Sequence, residues 1–114
     1  MTADFLHQQL ARGKWLELSL LEQFGNIGSE VSRAALAKKR GDEDGCRRAA
    51  WRAIDLFDLT LGDPRWRGRL GEIARAREVF CDAVWGVSEY ATTLEDLDRY
   101  FFEFAHAAKI EKTD

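Results

Sequence analysis

Two spacings near the C-terminus offer chemistry. Glu103-Phe104-Ala105-His106 has the Glu-x-x-His step by which helical bundles hold a di-metal carboxylate centre, which needs a second such motif and a glutamate from each of two further helices. The chain has one copy, and its other histidine, His7, stands near the N-terminus. No metal site and no cofactor is therefore expected, and His106 better suits the last turn of a helix, where its cation complements the dipole. Arg99 and His106 lie seven residues apart and share one face of a helix that carries both. In such a pair the imidazole can act as acid and base while the guanidinium clamps a phosphate.

Other polar residues recur at helical steps. Glu22, Asn26, Glu30 and Arg33 run along one side of a helix, and Arg75, Glu78 and Asp82 run along one side of another. Facing each other, they would make a polar seam of carboxylates and guanidinium groups, paired along a solvated groove or open to a ligand or partner. Arg77 comes four after Ile73 and three before Phe80, on an apolar stripe, so it is expected to be mostly buried. It then requires a carboxylate from a facing helix, with Glu30 or Asp55 as the expected source. Arg65, Arg67 and Arg69, with Arg75 and Arg77, face only Glu72 in sequence, a local charge of +4 that leaves −7 for the rest. This basic patch opens a helix, where anions are favoured. It can touch phosphate, but the acidic remainder favours pairing within the protein.

The elements that position these residues follow from composition and punctuation. A chain of 114 residues has the size of one domain, and 46% hydrophobic with 32% charged residues supplies both a core and a solvated surface. The net charge of −3 gives no general attraction to nucleic acid or anionic lipid. Met1 to Lys14 lacks the apolar core of a signal peptide and no stretch has the length of a membrane span, so a cytoplasmic location away from membranes is expected. Cys46 and Cys81 have no CxxC spacing and are expected as buried, reduced thiols.

Pro64 is the sole proline and no segment alternates with period two, so the chain divides into helices. Ser19-Leu20-Leu21-Glu22 is a capping box that opens a first helix, Leu20 to Arg40, with Leu20, Phe24, Ile27, Val31 and Ala35 inward. Gly25 and Gly28 either break that helix or admit a close neighbour. Gly41 and Asp42 punctuate a second helix, Glu43 to Leu61, which buries Cys46, Ala50, Ala53, Phe57 and Leu61. Gly62-Asp63-Pro64 reads as stop, N-cap and first residue of a third, Pro64 to Trp85, with Leu70, Ile73, Phe80, Cys81 and Val84 inward. Thr92-Thr93-Leu94-Glu95 is a second capping box, opening a fourth helix from Thr93 to about Lys109 with Leu94, Leu97, Phe101, Phe104 and Ala108 inward. The short connections predict an all-α, antiparallel four-helix up-down bundle over residues 19–111. Residues 1–18 form a tail or a short extra helix.

Asn26-Ile27-Gly28-Ser29-Glu30-Val31 with Arg33, then Asp58-Leu59-Thr60 with Asp63-Pro64, then Glu72-Ile73-Ala74-Arg75-Ala76-Arg77-Glu78-Val79 together resemble a family of short bacterial proteins of unassigned function. The resemblance spans about Leu20 to Ala108 and implies a small helical bundle. The Arg99 and His106 pair is in turn similar to the motif of HEPN-type helical ribonucleases, small bundles that often pair their active sites across a dimer. Tyr100 departs from the polar residue usual after that arginine.

Tyr100-Phe101-Phe102-Glu103-Phe104 puts aromatics on more of the fourth helix than a core stripe needs, and Trp15, Trp51 or Trp85 can add to the surplus. Exposed aromatics anchor interfaces. The leading expectation is thus a non-enzymatic bundle working through a protein partner or as a homodimer, with the ribonuclease reading as its alternative.

Overall fold

The computed structural model describes residues 13–86 and 93–113. Their regular structure is helical throughout, with no strand among the described residues: α1 Leu20–Lys39, α2 Glu43–Leu61, a 3-10 helix Pro64–Arg69, α3 Leu70–Trp85 and α4 Leu94–Thr113. Residues 13–15 are also helical, and turns from Lys14 and Trp15 lead the chain into Ser19. His7, the rest of the N-terminal segment before Gly13, and Thr92 lie outside the described residues.

Local chemistry sets the helix ends. The Ser19 hydroxyl accepts from the Glu22 N–H while the Glu22 carboxylate accepts from the Ser19 N–H, both at 3.1 Å. At the other end Gly41 takes φ +77°, where a side chain would be strained. Its N–H reaches Lys38 O and that of Asp42 reaches Ala37 O, which satisfies two of the last carbonyls of α1. Asp42 then caps α2 through the Gly45 N–H. The cap of α4 sits one residue later than the sequence suggested, because Thr93 and Asp96 exchange the reciprocal bonds of the box.

The expected third helix is divided. Asp63 and Pro64 do open a helix, but it is a six-residue 3-10 segment, and Trp66 leaves helical geometry at φ −105°, ψ 23°. Arg69, with φ −123° and no side-chain cap, precedes α3 proper. Leu70, expected inside, is consequently exposed at 38%.

α1 is the shared element, packed along both α2 and α4, while α3 lies against α2 and touches α4 more lightly. Phe101 of α4 meets Phe24 of α1 at 5.6 Å and Phe57 of α2 at 6.0 Å, and Phe57 meets Phe80 of α3 at 6.0 Å. These four fully buried rings tie the helices together, each contributing about 2 kcal/mol by burial. Because α1 has two neighbours, its buried face is wider than one stripe and takes in Gln23, Gly28, Glu30, Ala34 and Ala37, whereas Ala35 is only half-buried. In α2, Ala49, Ile54 and Thr60 join the expected stripe and Leu61 falls to its edge. Cys46 is buried, but Cys81, Val84 and Phe104 are half-buried. The side chain of Ala108 lies outside the described residues.

The helix α1 runs unbroken through Gly25 and Gly28. A methyl group on Gly28 would stand 2.7 Å from Phe101 Cβ, so this glycine lets α4 approach α1 closely. No helix among the described residues is long and apolar enough to cross a membrane.

Candidate functional site

The densest polar arrangement is one the motif reading did not single out. Gln23 lies three after Leu20 and four before Ile27, and Thr60 lies three after Phe57, so two polar side chains occupy apolar stripes. Both are fully buried. Trp15 Nε1 donates to Thr60 Oγ1 at 3.0 Å, and Thr60 Oγ1 donates to Leu56 O at 2.9 Å. Gln23 Nε2 donates to Trp15 O at 2.9 Å and Asp63 Oδ2 at 3.1 Å, and its Oε1 accepts from Trp66 Nε1 at 2.9 Å.

Asp63 closes the network. Its carboxylate, almost wholly buried, accepts from the Arg65 N–H at 3.0 Å and from the Arg65 guanidinium at 2.7 to 3.2 Å. The hydrogen bonds from Arg65 hold the Asp63 pKa down at about 2 against the burial that opposes them, with Gln23 helping. Asp63 in return raises the pKa of Arg65. Arg65 also donates to Leu18 O at 2.6 Å and lies 4.5 Å over the Trp66 ring. Every buried side-chain nitrogen and oxygen among the described residues has a hydrogen-bond partner. The network fastens the segment before α1 to the junction of α2 and the 3-10 helix. Arg65 therefore belongs to this clamp and not to a free basic patch, while Arg67 is exposed and Arg69 pairs with Glu72 at 3.0 Å.

α1 packs chiefly along α2 and α4, and Lys38 Nζ donates to Ala83 O of α3 at 3.4 Å. Glu30 is engaged by Arg33 on its own helix and by Arg52 of α2 at 2.9 Å. Asn26 Nδ2 donates to Glu22 O at 2.9 Å, as a local bond. On α3, Arg75 and Glu78 are exposed and Asp82 is half-buried. Arg77 does find a carboxylate on a facing helix, but its Nε donates to Asp58 Oδ1 of α2 at 2.9 Å, not to Glu30 or Asp55. The guanidinium retains 34% exposure and Asp58 54%, so the pair is at the rim of the core and not within it.

On α4, Arg99, Phe102 and His106 share an exposed face. Arg99 is bonded to Asp96, and His106 lies parallel to the Phe102 ring with centroids 6.5 Å apart. Glu103 is exposed beside them, and among the described residues no three histidine, cysteine or carboxylate side chains come together as a metal site. Burial raises the pKa of both Cys46 and Cys81, which keeps the thiols protonated and weakly nucleophilic.

Open grooves flank α4 among the described residues, several of them of about 310 Å³. One, against α1, is lined by Gly25, Gly28, Ser29, Ser32, Arg33, Asp98, Phe101 and Phe102. Another, against α3, has an apolar floor of Ala76, Val79, Leu97 and Tyr100 with Glu72, Arg75 and Asp96 at its edge. Burial against this groove raises the Tyr100 pKa. Large apolar side chains also reach solvent on the far side, where Trp51 of α2 and Trp85 of α3 touch at 5.3 Å. No family model, curated protein or solved structure matches the chain. The all-helical fold, its buried clamp and its exposed aromatics are thus what defines this protein.

Proposed function

We propose that the chain is a non-enzymatic helical bundle that works through protein contacts, as a homodimer. An antiparallel up-down course for α1 to α4 belongs to this reading, supported by the three-residue connection between α1 and α2 and the two residues between α2 and the 3-10 helix. Kinship with the short bacterial proteins resembled above is also part of it and rests on the sequence motifs.

One observation carries the proposal: aromatic surface is left in solvent while the buried polar side chains among the described residues are all hydrogen-bonded. Phe102 is 67% exposed and Trp51 59%, with Trp85 and Tyr100 also open. Side chains of this kind supply most of the binding energy of protein interfaces. Light scattering during size exclusion tests the proposal, with a concentration-dependent mass approaching twice that of the chain as the expected result. A monomer at high micromolar concentration that also retains no partner in a pull-down refutes it. RNA cleavage by Arg99 and His106 is the weaker alternative, since Asp96 already engages the guanidinium that would clamp a phosphate.

A further inference from the structure

The outer side of α2 carries Arg48, Trp51 and Asp55. Steps of three and four place them one above another, on the side away from the buried Ala49, Ala53, Phe57 and Thr60. Trp51 packs against Trp85 but remains largely in solvent. Arg48 and Asp55 are exposed, and neither has an ion-pair partner among the described residues. Their neighbours are engaged: Arg47 with Asp44, Arg52 with Glu30 and Arg77 with Asp58. Arg48 and Asp55 cannot neutralise each other within one helix, because seven residues separate them by about 10 Å along its axis. A cation and an anion on either side of an exposed tryptophan form a pattern that complements itself when reversed.

We infer that this face binds a second copy of the chain, α2 against α2 in antiparallel register about a two-fold axis beside Trp51. Reversal sets Arg48 of one protomer on Asp55 of its partner, and the symmetry makes the same pair a second time. The two Trp51 rings are covered between these pairs, with Trp85 extending the apolar area. Parallel alignment would instead oppose like charges. The inference rests on the self-association proposed above and names its surface.

Charge exchange tests it. Arg48→Asp gives a chain with two carboxylates on this face, and Asp55→Arg gives one with two guanidinium groups. Each alone sets like charges together and is expected to weaken the dimer at least about tenfold. An equimolar mixture of the two, and the double variant Arg48→Asp with Asp55→Arg, restore both pairs and recover the wild-type dimer. A blue shift of tryptophan emission on association gives a second readout, and circular dichroism checks that these exposed substitutions leave the helices intact. A wild-type monomer overturns the surface and the self-association reading together. A wild-type dimer indifferent to the exchanges, or single variants that the mixture fails to rescue, overturns the surface and leaves self-association standing.

Discussion

Asp63→Asn removes one charge from the buried clamp and almost nothing from its volume. The carboxylate accepts from Arg65 and Gln23 and has its pKa lowered from 3.8 to about 2, which corresponds to roughly 2 kcal/mol of stability at neutral pH. The new amide turns an N–H toward donors on Gln23 or Arg65, which adds about 1 kcal/mol for a buried group left unsatisfied. The expected loss is about 3 kcal/mol, or a fall in melting temperature of about 12 °C for a chain of this size. Because the folded-state pKa lies below the unfolded one, the charge-dependent part is fully present above about pH 4 and is lost as the pH falls from about 4 to about 2. Urea unfolding of both chains, followed by circular dichroism, should therefore show a gap that narrows by about 2 kcal/mol across that window. Other carboxylates titrate in both chains and cancel in the difference. A variant within about 0.5 kcal/mol of wild type at neutral pH, or a gap that does not change with pH, would refute the assignment of Asp63 as the charged centre of the network.

Arg65→Ala strands a buried carboxylate and should cost about 3 kcal/mol in urea unfolding, whereas Arg77→Ala breaks a half-exposed pair and should cost about 1 kcal/mol or less. Arg67→Ala, at an exposed site, should stay within about 0.5 kcal/mol. Gly28→Ala forces α4 away from α1 and should lower stability by about 1–2 kcal/mol despite its gain in helix propensity. Gly71→Ala, where a methyl group meets nothing within 4 Å, should raise the melting temperature by a few degrees through about 0.5–1 kcal/mol of propensity.

What the sequence made legible was mainly local. Ser19 and Glu22, Gly41 and Asp42, and Asp63 with Pro64 act on backbone groups within five residues, so their meaning survives without knowledge of the fold. The placing of Arg77 rested on its steps to Ile73 and Phe80, which α3 does bury, but the buried stripe of α3 is narrow and leaves Arg77 at its rim, where the partner on α2 proved to be Asp58. The clamp was harder still, since Trp15, Gln23, Thr60 and Asp63 meet across 40 or more residues. Gln23 and Thr60 nevertheless carried a signal, as polar side chains in apolar registers require buried partners. Which helices α1 meets was not legible for a different reason: helix periodicity tells which residues share a face, but not what that face packs against.

The uneven packing of the four helices bears on how the molecule opens. Nine residues of α1 and seven of α2 are buried, against Ile73 and Phe80 alone in α3. Amide protons of α3 should accordingly exchange with solvent first, through excursions in which this helix detaches while α1 and its two neighbours keep their shape. Trp85 travels with α3 in such an excursion and leaves Trp51 bare on α2. Any molecule that covers both rings must hold α3 down, so its arrival would be recorded as slowed exchange along a helix it touches only at one end.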